Sequence, residues 1–191
     1  MTDYDAECLA IRHGETEWSR DRRHTGRTDL PLLPEGREQA EALRSRLEGR
    51  EFTAVLVSPL QRAVETCRLA GLGDRAEVEP DLLEWDYGEY EGRTTVDIHR
   101  GRPDWDLFED GAPGGETAAE VGVRVDRVIA RVRALEGDVA LVAHAHLLRV
   151  LAARWVGLPP DRARSFTLGP ASLSVLGWER TEPVVSRWNQ Y

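Results

Sequence analysis

Apolar residues fill positions 8–11 and stop at Arg12 and His13, a pattern that predicts a short buried strand with a charged end. A polar, arginine-rich stretch follows as far as Pro34. From Glu35, "EGREQAEALRSRLEG" places Ala40, Leu43 and Leu47 at three- and four-residue spacing, which predicts a helix stopped by Gly49. "FTAVLV" at 52–57 predicts a second strand. Ser58 and Pro59 then supply an N-cap and a first-turn proline for a helix running to about Ala70, with Arg62 in its first turn. A third unit repeats the scheme, with a strand over 139–143 and a helix over 147–156. Positions 81–115 show no regular period. The segment after them, "ETAAEVGVRVDRVIARVRALEG", has the clearest helical one, with Val121, Val125, Val128, Val132 and Leu135 on one face and arginines and acids on the other. "SLSVLGWE" at 172–179 predicts a last strand.

Strands alternating with helices imply a mainly parallel sheet covered on both faces, a three-layer α/β/α sandwich. The 191 residues suit one domain spanning 1–191, with no internal repeat, linker or low-complexity tract. A composition 41% hydrophobic and 31% charged fits a soluble globular chain rather than a disordered one. No apolar run approaches the roughly 18 residues of a membrane helix, and "MTDYDAEC" is too acidic and polar for a signal peptide, so a cytoplasmic location without membrane partners is expected. Cys8 and Cys67 fall in separate predicted elements and do not form a disulfide framework.

A net charge of −9 argues against a nucleic-acid partner. All 25 basic residues are arginine. The absence of lysine excludes Schiff-base chemistry and a phosphate-loop lysine, so any phosphate must be met by arginine, histidine or backbone N–H groups.

In an open parallel sheet, ligands bind beyond the carboxyl ends of the strands. Three predicted strands end in reactive groups: Arg12 and His13, then Ser58 with Arg62 one turn on, then His144. Were these strands parallel neighbours, two arginines and two histidines would meet at one edge. Guanidinium forks match phosphate oxygens, and a neutral imidazole can act as nucleophile. Singly, each residue has a plainer reading. Arg12 could be an ordinary strand-end arginine, and Arg62 a surface helix residue in a salt bridge. His24 and His99 stand in polar surroundings and read as exposed. His144 and His146 have an H-x-H spacing, but no cysteine or H-E-x-x-H pattern accompanies them, so no metal site is expected. For a proton-transferring carboxylate, "LLEWDYGEYEG" offers Glu84, Asp86, Glu89 and Glu91. Glu84, between Leu83 and Trp85, is favoured as the partly buried one with a raised pKa.

Five motifs occur in order: "RHGETEW", "SPLQRAVET", "LLEWDYGEYEG", "PGGET" and "VAHAHLLR". Together they resemble those of the histidine phosphatase superfamily, which includes the phosphoglycerate mutases, over nearly the whole chain. The resemblance implies a phosphoglycerate mutase-like fold and a catalytic set without metal or cofactor. In it His13 is the nucleophile that forms a phosphohistidine, Arg12, Arg62 and His144 hold the phosphate, and Glu84 is the proton donor. Adjacent arginines should depress the pKa of His13 and keep its lone pair available. The resemblance also places Ser19, Thr25, Gly26, Tyr87, Ala145 and His146 against the substrate. Ser19 stands where the family has asparagine, and Ala145 where it has glycine, so finer substrate contacts differ.

The family contains phosphatases and mutases. "EWDYGEYEG", the 23 residues between Gly92 and Glu116, and a sequence that stops soon after the predicted last strand resemble the small sugar-phosphate phosphatases more than the mutases. The expected substrate is a small phosphate monoester. Phosphoglycerate mutase is the alternative, and a non-catalytic phospho-ligand module is disfavoured by the five retained residues. Arg20, Arg22, Arg23, Arg27, Arg100 and Arg102 could supply a second anion site or form a solvated face. An exposed final strand could pair two subunits into a homodimer.

Overall fold

The computed structural model describes residues 6–191. Strands β1 (Cys8–Arg12), β2 (Ala54–Val57), β3 (Ala76–Val78), β4 (Val139–Ala143), β5 (Leu173–Glu179) and β6 (Glu182–Gln190) form one sheet in the order β3-β2-β4-β1-β5-β6. Strands β3, β2, β4 and β1 are mutually parallel, and β5 is antiparallel to both of its neighbours. The helices are α1 (Glu17–Arg20), α2 (Pro34–Leu47), α3 (Gln61–Leu69), α4 (Thr95–His99), α5 (Leu107–Asp110), α6 (Ala118–Arg133) and α7 (Ala145–Trp155).

The two-residue period of a strand sorts β1 between two cores. Leu9 and Ile11 pack with Leu43, Leu47, Ala63 and Cys67, from α2 and α3. Cys8 and Ala10 face the opposite way, with Val121, Val125, Leu147 and Leu151 from α6 and α7. This gives the three layers expected from the alternation of elements. All five residues of β4 are buried, as a central strand covered on both faces requires. Each fully buried aliphatic side chain contributes about 1.5–3 kcal/mol, and this rigid sheet fixes the ends from which the chemistry projects. Register pairs Arg12 with Ala143, so β1 and β4 finish level. The Ser58 N–H bonds the carbonyl of Val142, which brings the end of β2 to the same edge.

Several boundaries differ from the sequence expectation. Helix α3 starts at Gln61 with Leu60 as its N-cap, so Ser58 is not the cap, although Arg62 does lie in the first turn. The Ser58 hydroxyl instead meets His144. Helix α7 starts at Ala145, two residues early, because Glu84 satisfies its first-turn N–H groups. Within the polar stretch before Pro34, Thr16 and Ser19 form a reciprocal capping box and create α1. Two strands lack a sequence signal. β3 has only three residues, and β6 has no fully buried position to create a period. Since β6 covers β5, the strand expected to be last and exposed is an interior one. Cys8 and Cys67 are unpaired, on opposite faces of the sheet, and burial pushes both thiols up to about 12.

Candidate active site

The ends of β1, β2 and β4 deliver His13, Ser58 and His144 to one sheet edge. The His13 backbone is pinned on both sides: its N–H bonds Ala143 O at 3.0 Å, and its carbonyl accepts from Ala171 N at 2.9 Å. Gly14 follows because the chain crosses α2 at close range. A Cβ there would sit 2.1 Å from the carbonyl oxygen of Gly36. The imidazole Nδ1 of His13 lies 2.7 Å from the Gly14 carbonyl oxygen. A carbonyl only accepts, so Nδ1 carries the proton and Nε2 keeps its lone pair. Burial, then Arg62 and Arg12, hold the His13 pKa well below the usual histidine value. The depression expected from the arginines is present, with desolvation as its largest cause.

Arg62 is fully buried. Its Nη1 donates to Thr28 O at 2.9 Å, and its Nη2 to Thr25 O and Gly26 O at 3.2 and 3.0 Å. Its Nε donates to His144 Nδ1 at 3.2 Å. Three carbonyls and an imidazole thus orient the guanidinium without neutralising it. The surface salt bridge of the plainer reading is absent among the described residues. Because His144 Nδ1 accepts from Arg62, Nε2 carries the ring proton and donates to Ser58 Oγ at 2.7 Å. Burial and the Arg62 charge also lower the His144 pKa well below normal. The two imidazole centroids are 5.2 Å apart. Arg12 donates to Leu168 O, while its buried Nε–H has no partner among the described residues and is available to an anion.

Of the four carboxylates in "LLEWDYGEYEG", only Glu84 is buried at this edge. It accepts from the N–H groups of Trp85, Leu147 and His146 at 2.9, 2.9 and 3.1 Å. Its carboxylate therefore sits on the positive end of α7, directly after His144. Asp86 caps Gly88 N and pairs with Arg27, Glu91 binds the N–H groups of Gly26 and Thr28, and Glu89 is exposed. The irregular segment holding Glu84 is fastened by Arg124, which donates to the carbonyls of Asp81, Leu83 and Glu84 and forks onto Glu116. Helical periodicity placed Arg124 on the polar face of α6, yet it is 7% exposed.

A cleft of about 280 Å³ opens at this edge, lined by Arg12, His13, Ser19, Thr25, Glu84, Tyr87, Ala145 and His146, with Arg22, Arg23, His24, Thr95, Arg149 and Leu168. Arg62 and His144 are fully buried and do not line it, and Gly26 acts through its carbonyl on Arg62. A larger groove of about 1010 Å³ beside α2 and the C-terminal end of α3 contains none of these groups, so size does not mark the site. Tyr87 Oη lies 2.6 Å from His146 Nδ1. Burial raises the phenol pKa well above normal, so Tyr87 keeps its proton and donates.

His24 departs from its expected exposure. It packs 4.8 Å from the Tyr87 ring and 5.6 Å from Trp105, and burial lowers its pKa to about 4. His99 is also half-buried, donating from Nε2 to Trp105 O. Among the described residues no cluster of His, Cys, Asp or Glu could hold a metal ion. Arg124 and Arg149 escaped the sequence reading. Arg149 had a usable signal, since it lies three residues after His146 and shares its helix face.

The chain is similar to known proteins in both sequence and fold. The chain is 42% identical over 177 residues to an acid phosphatase of Mycobacterium tuberculosis, covering 90% of this chain and 86% of that one. It is 38% identical over 191 residues to a sedoheptulose 1,7-bisphosphatase of Saccharomyces cerevisiae, covering 83% and 70%. Relatives of lower identity include probable phosphoglycerate mutases. A solved Mycobacterium tuberculosis structure, 37% identical, superposes with a TM-score of 0.93 over 97% of this chain and 98% of that one. Residues 8–191 match the model of the histidine phosphatase superfamily (branch 1), and the chain belongs to that family, as a hydrolase of the phosphatase kind.

Proposed function

We propose that the protein hydrolyses a small phosphate monoester, a sugar phosphate or related metabolite, by two in-line displacements through a phosphohistidine on His13. The observation that carries this reading is the His13 ring: one nitrogen is bound to the Gly14 carbonyl, and the other is left neutral and nucleophilic beside two buried guanidinium groups.

In the first step the Nε2 lone pair attacks phosphorus as the ester P–O bond breaks. Arg12, Arg62 and His144 bind the equatorial oxygens as charge redistributes. His144 turns its Nε2–H from Ser58 Oγ to the arriving dianion while Nδ1 keeps its bond from Arg62, and Glu84, when protonated, gives its proton to the leaving oxygen. In the second step water attacks the phosphohistidine, the P–N bond breaks, and Glu84 regains a proton. Monoester plus water yields alcohol plus phosphate, with His13 restored. No step calls for a metal.

Purified protein should release phosphate from 4-nitrophenyl phosphate in the presence of EDTA. His13→Ala should lower this by about 10³-fold or more, as loss of a nucleophile does. An active His13→Ala protein would defeat the mechanism. The mutase reading predicts that 3-phosphoglycerate, primed with 2,3-bisphosphoglycerate, isomerises faster than phosphate is released. The phosphatase reading predicts the reverse.

A further inference from the structure

Resting on the phosphatase reading, we infer that the substrate carries a second anionic group, phosphate or carboxylate, held by Arg149 with Arg22 and Arg23, which line the same cleft as His13. The arginines of this region divide into two groups. Arg20 pairs with Asp21, Arg27 with Asp86 and Glu116, Arg100 with Asp97, and Arg102 with Asp110. None of these four lines the cleft. Arg22, Arg23 and Arg149 all line it, and none has a carboxylate partner among the described residues. The sequence offered six arginines as one undivided candidate set. The structure retains two of them and adds Arg149.

Arg149 is the anchor. Its Nε donates to Ala163 O at 3.2 Å and its Nη2 to Arg164 O at 3.4 Å, and its guanidinium carbon lies 4.8 Å from the centre of the Phe108 ring. These contacts fix the side chain without neutralising it, and Nη1 has no partner among the described residues. Burial lowers its pKa, the sign of a cation partly stripped of water. Such a charge gains most from an anionic partner. Arg22 is exposed, with a φ of +58°, a backbone conformation that a non-glycine residue adopts at a cost, and its side chain makes no bond within the described residues. Arg23 donates only a long bond to Gly92 O at 3.4 Å.

Charge supports the same conclusion. Four arginines and one carboxylate, Glu84, line the cleft of a protein with net charge −9. The buried Arg62 charge, which acts on His13, adds to them. One phosphate dianion at His13 leaves this cleft cationic, and a second anion at Arg149 balances it. The lining also holds Thr25, Thr95, Tyr87, His24 and His146, hydrogen-bonding groups suited to a hydroxylated spacer. A volume of about 280 Å³ matches a small metabolite.

The test compares kcat/KM for matched pairs that differ by the second anion: fructose 1,6-bisphosphate against fructose 1-phosphate and fructose 6-phosphate, and 3-phosphoglycerate against glycerol 3-phosphate. At least one dianionic pair member should be preferred by about 10-fold or more, the scale of a charge-assisted hydrogen bond. Whichever pair shows it identifies the second group as phosphate or carboxylate. Arg149→Met should reduce the preference ratio by about 10-fold, chiefly through KM, and Arg149→Lys should restore part of it. Arg22→Gln, an exposed change that leaves no buried group unpaired, should reduce the ratio by a smaller factor, which guards against misfolding as the cause. Equal kcat/KM within both pairs, or a ratio unchanged in Arg149→Met and Arg22→Gln, would overturn the inference while activity on 4-nitrophenyl phosphate keeps the phosphatase reading. Inactivity on every monoester overturns both.

Discussion

Arg62 and Arg124 are two buried arginines on helices that flank the same sheet edge, and their partners set them apart. Arg124 forks onto Glu116 and takes three carbonyls of the irregular segment, so its charge is matched inside the protein. Arg62 has carbonyls and an imidazole but no carboxylate, so its charge stays free to act on a ligand. A buried pair that is complete holds structure, and a buried cation left unmatched waits for an anion. The comparison separates groups that build the site from groups that use it.

The contrast breaks most sharply by substitution. Arg62→Met should lower kcat/KM by about 10³-fold, roughly 4 kcal/mol of transition-state stabilisation, with a smaller loss of unfolding free energy than Arg124→Met because no carboxylate loses a partner. Arg124→Met should do the opposite in kind, costing about 1.5–3 kcal/mol of stability because half-buried Glu116 loses its forked partner and three carbonyls lose their donor. Adding Glu116→Gln should recover part of that loss. Urea unfolding and steady-state kinetics on both variants decide the matter. Equal losses of stability would erase the distinction. Gly14→Ala should cost about 1–3 kcal/mol, since its Cβ would meet the Gly36 carbonyl, and should displace His13 as well.

Acidification sharpens the same comparison, because the neutral buried imidazoles lie on the ligand side of it. Unfolded histidines titrate at roughly 6.5. In the fold, His13, His144 and His146 are held well below that value, and His24 is near about 4. The stability of these neutral forms is complete above about pH 6.5 and is lost as pH falls from there toward the folded values. Tm should fall over that window, and inorganic phosphate should flatten the slope. A Tm independent of pH between about 6.5 and 4 would contradict the burial of these rings. The smallest effect is expected at Thr117→Ala, which removes the capping box of α6 at about 1 kcal/mol and lowers Tm by a few degrees.

Strand ends were the most legible part of the sequence. A buried apolar run that stops at a charged pair marks a strand end, so Arg12, His13 and His144 could be expected at one edge if their strands were parallel neighbours, which β1 and β4 are. Glu84 was separable from Asp86, Glu89 and Glu91 because apolar neighbours foretold its burial. Arg124 was not legible, since helical period assigns a charged residue to water unless its partner is known, and Glu116 is eight positions away across a turn. β6 was hidden because an edge strand without a buried face carries no two-residue period. Ser58 misled for a different reason: serine before proline is a common helix start, and only the position of His144 shows that its hydroxyl is already engaged.

The central claim is covalent chemistry at His13 Nε2. Rapid quenching of enzyme mixed with a ³²P-labelled monoester should trap a phosphoenzyme that is stable to alkali, labile to acid, located on the peptide containing His13 and absent from His13→Ala. Turnover with no such species, or label on another residue, would contradict the account.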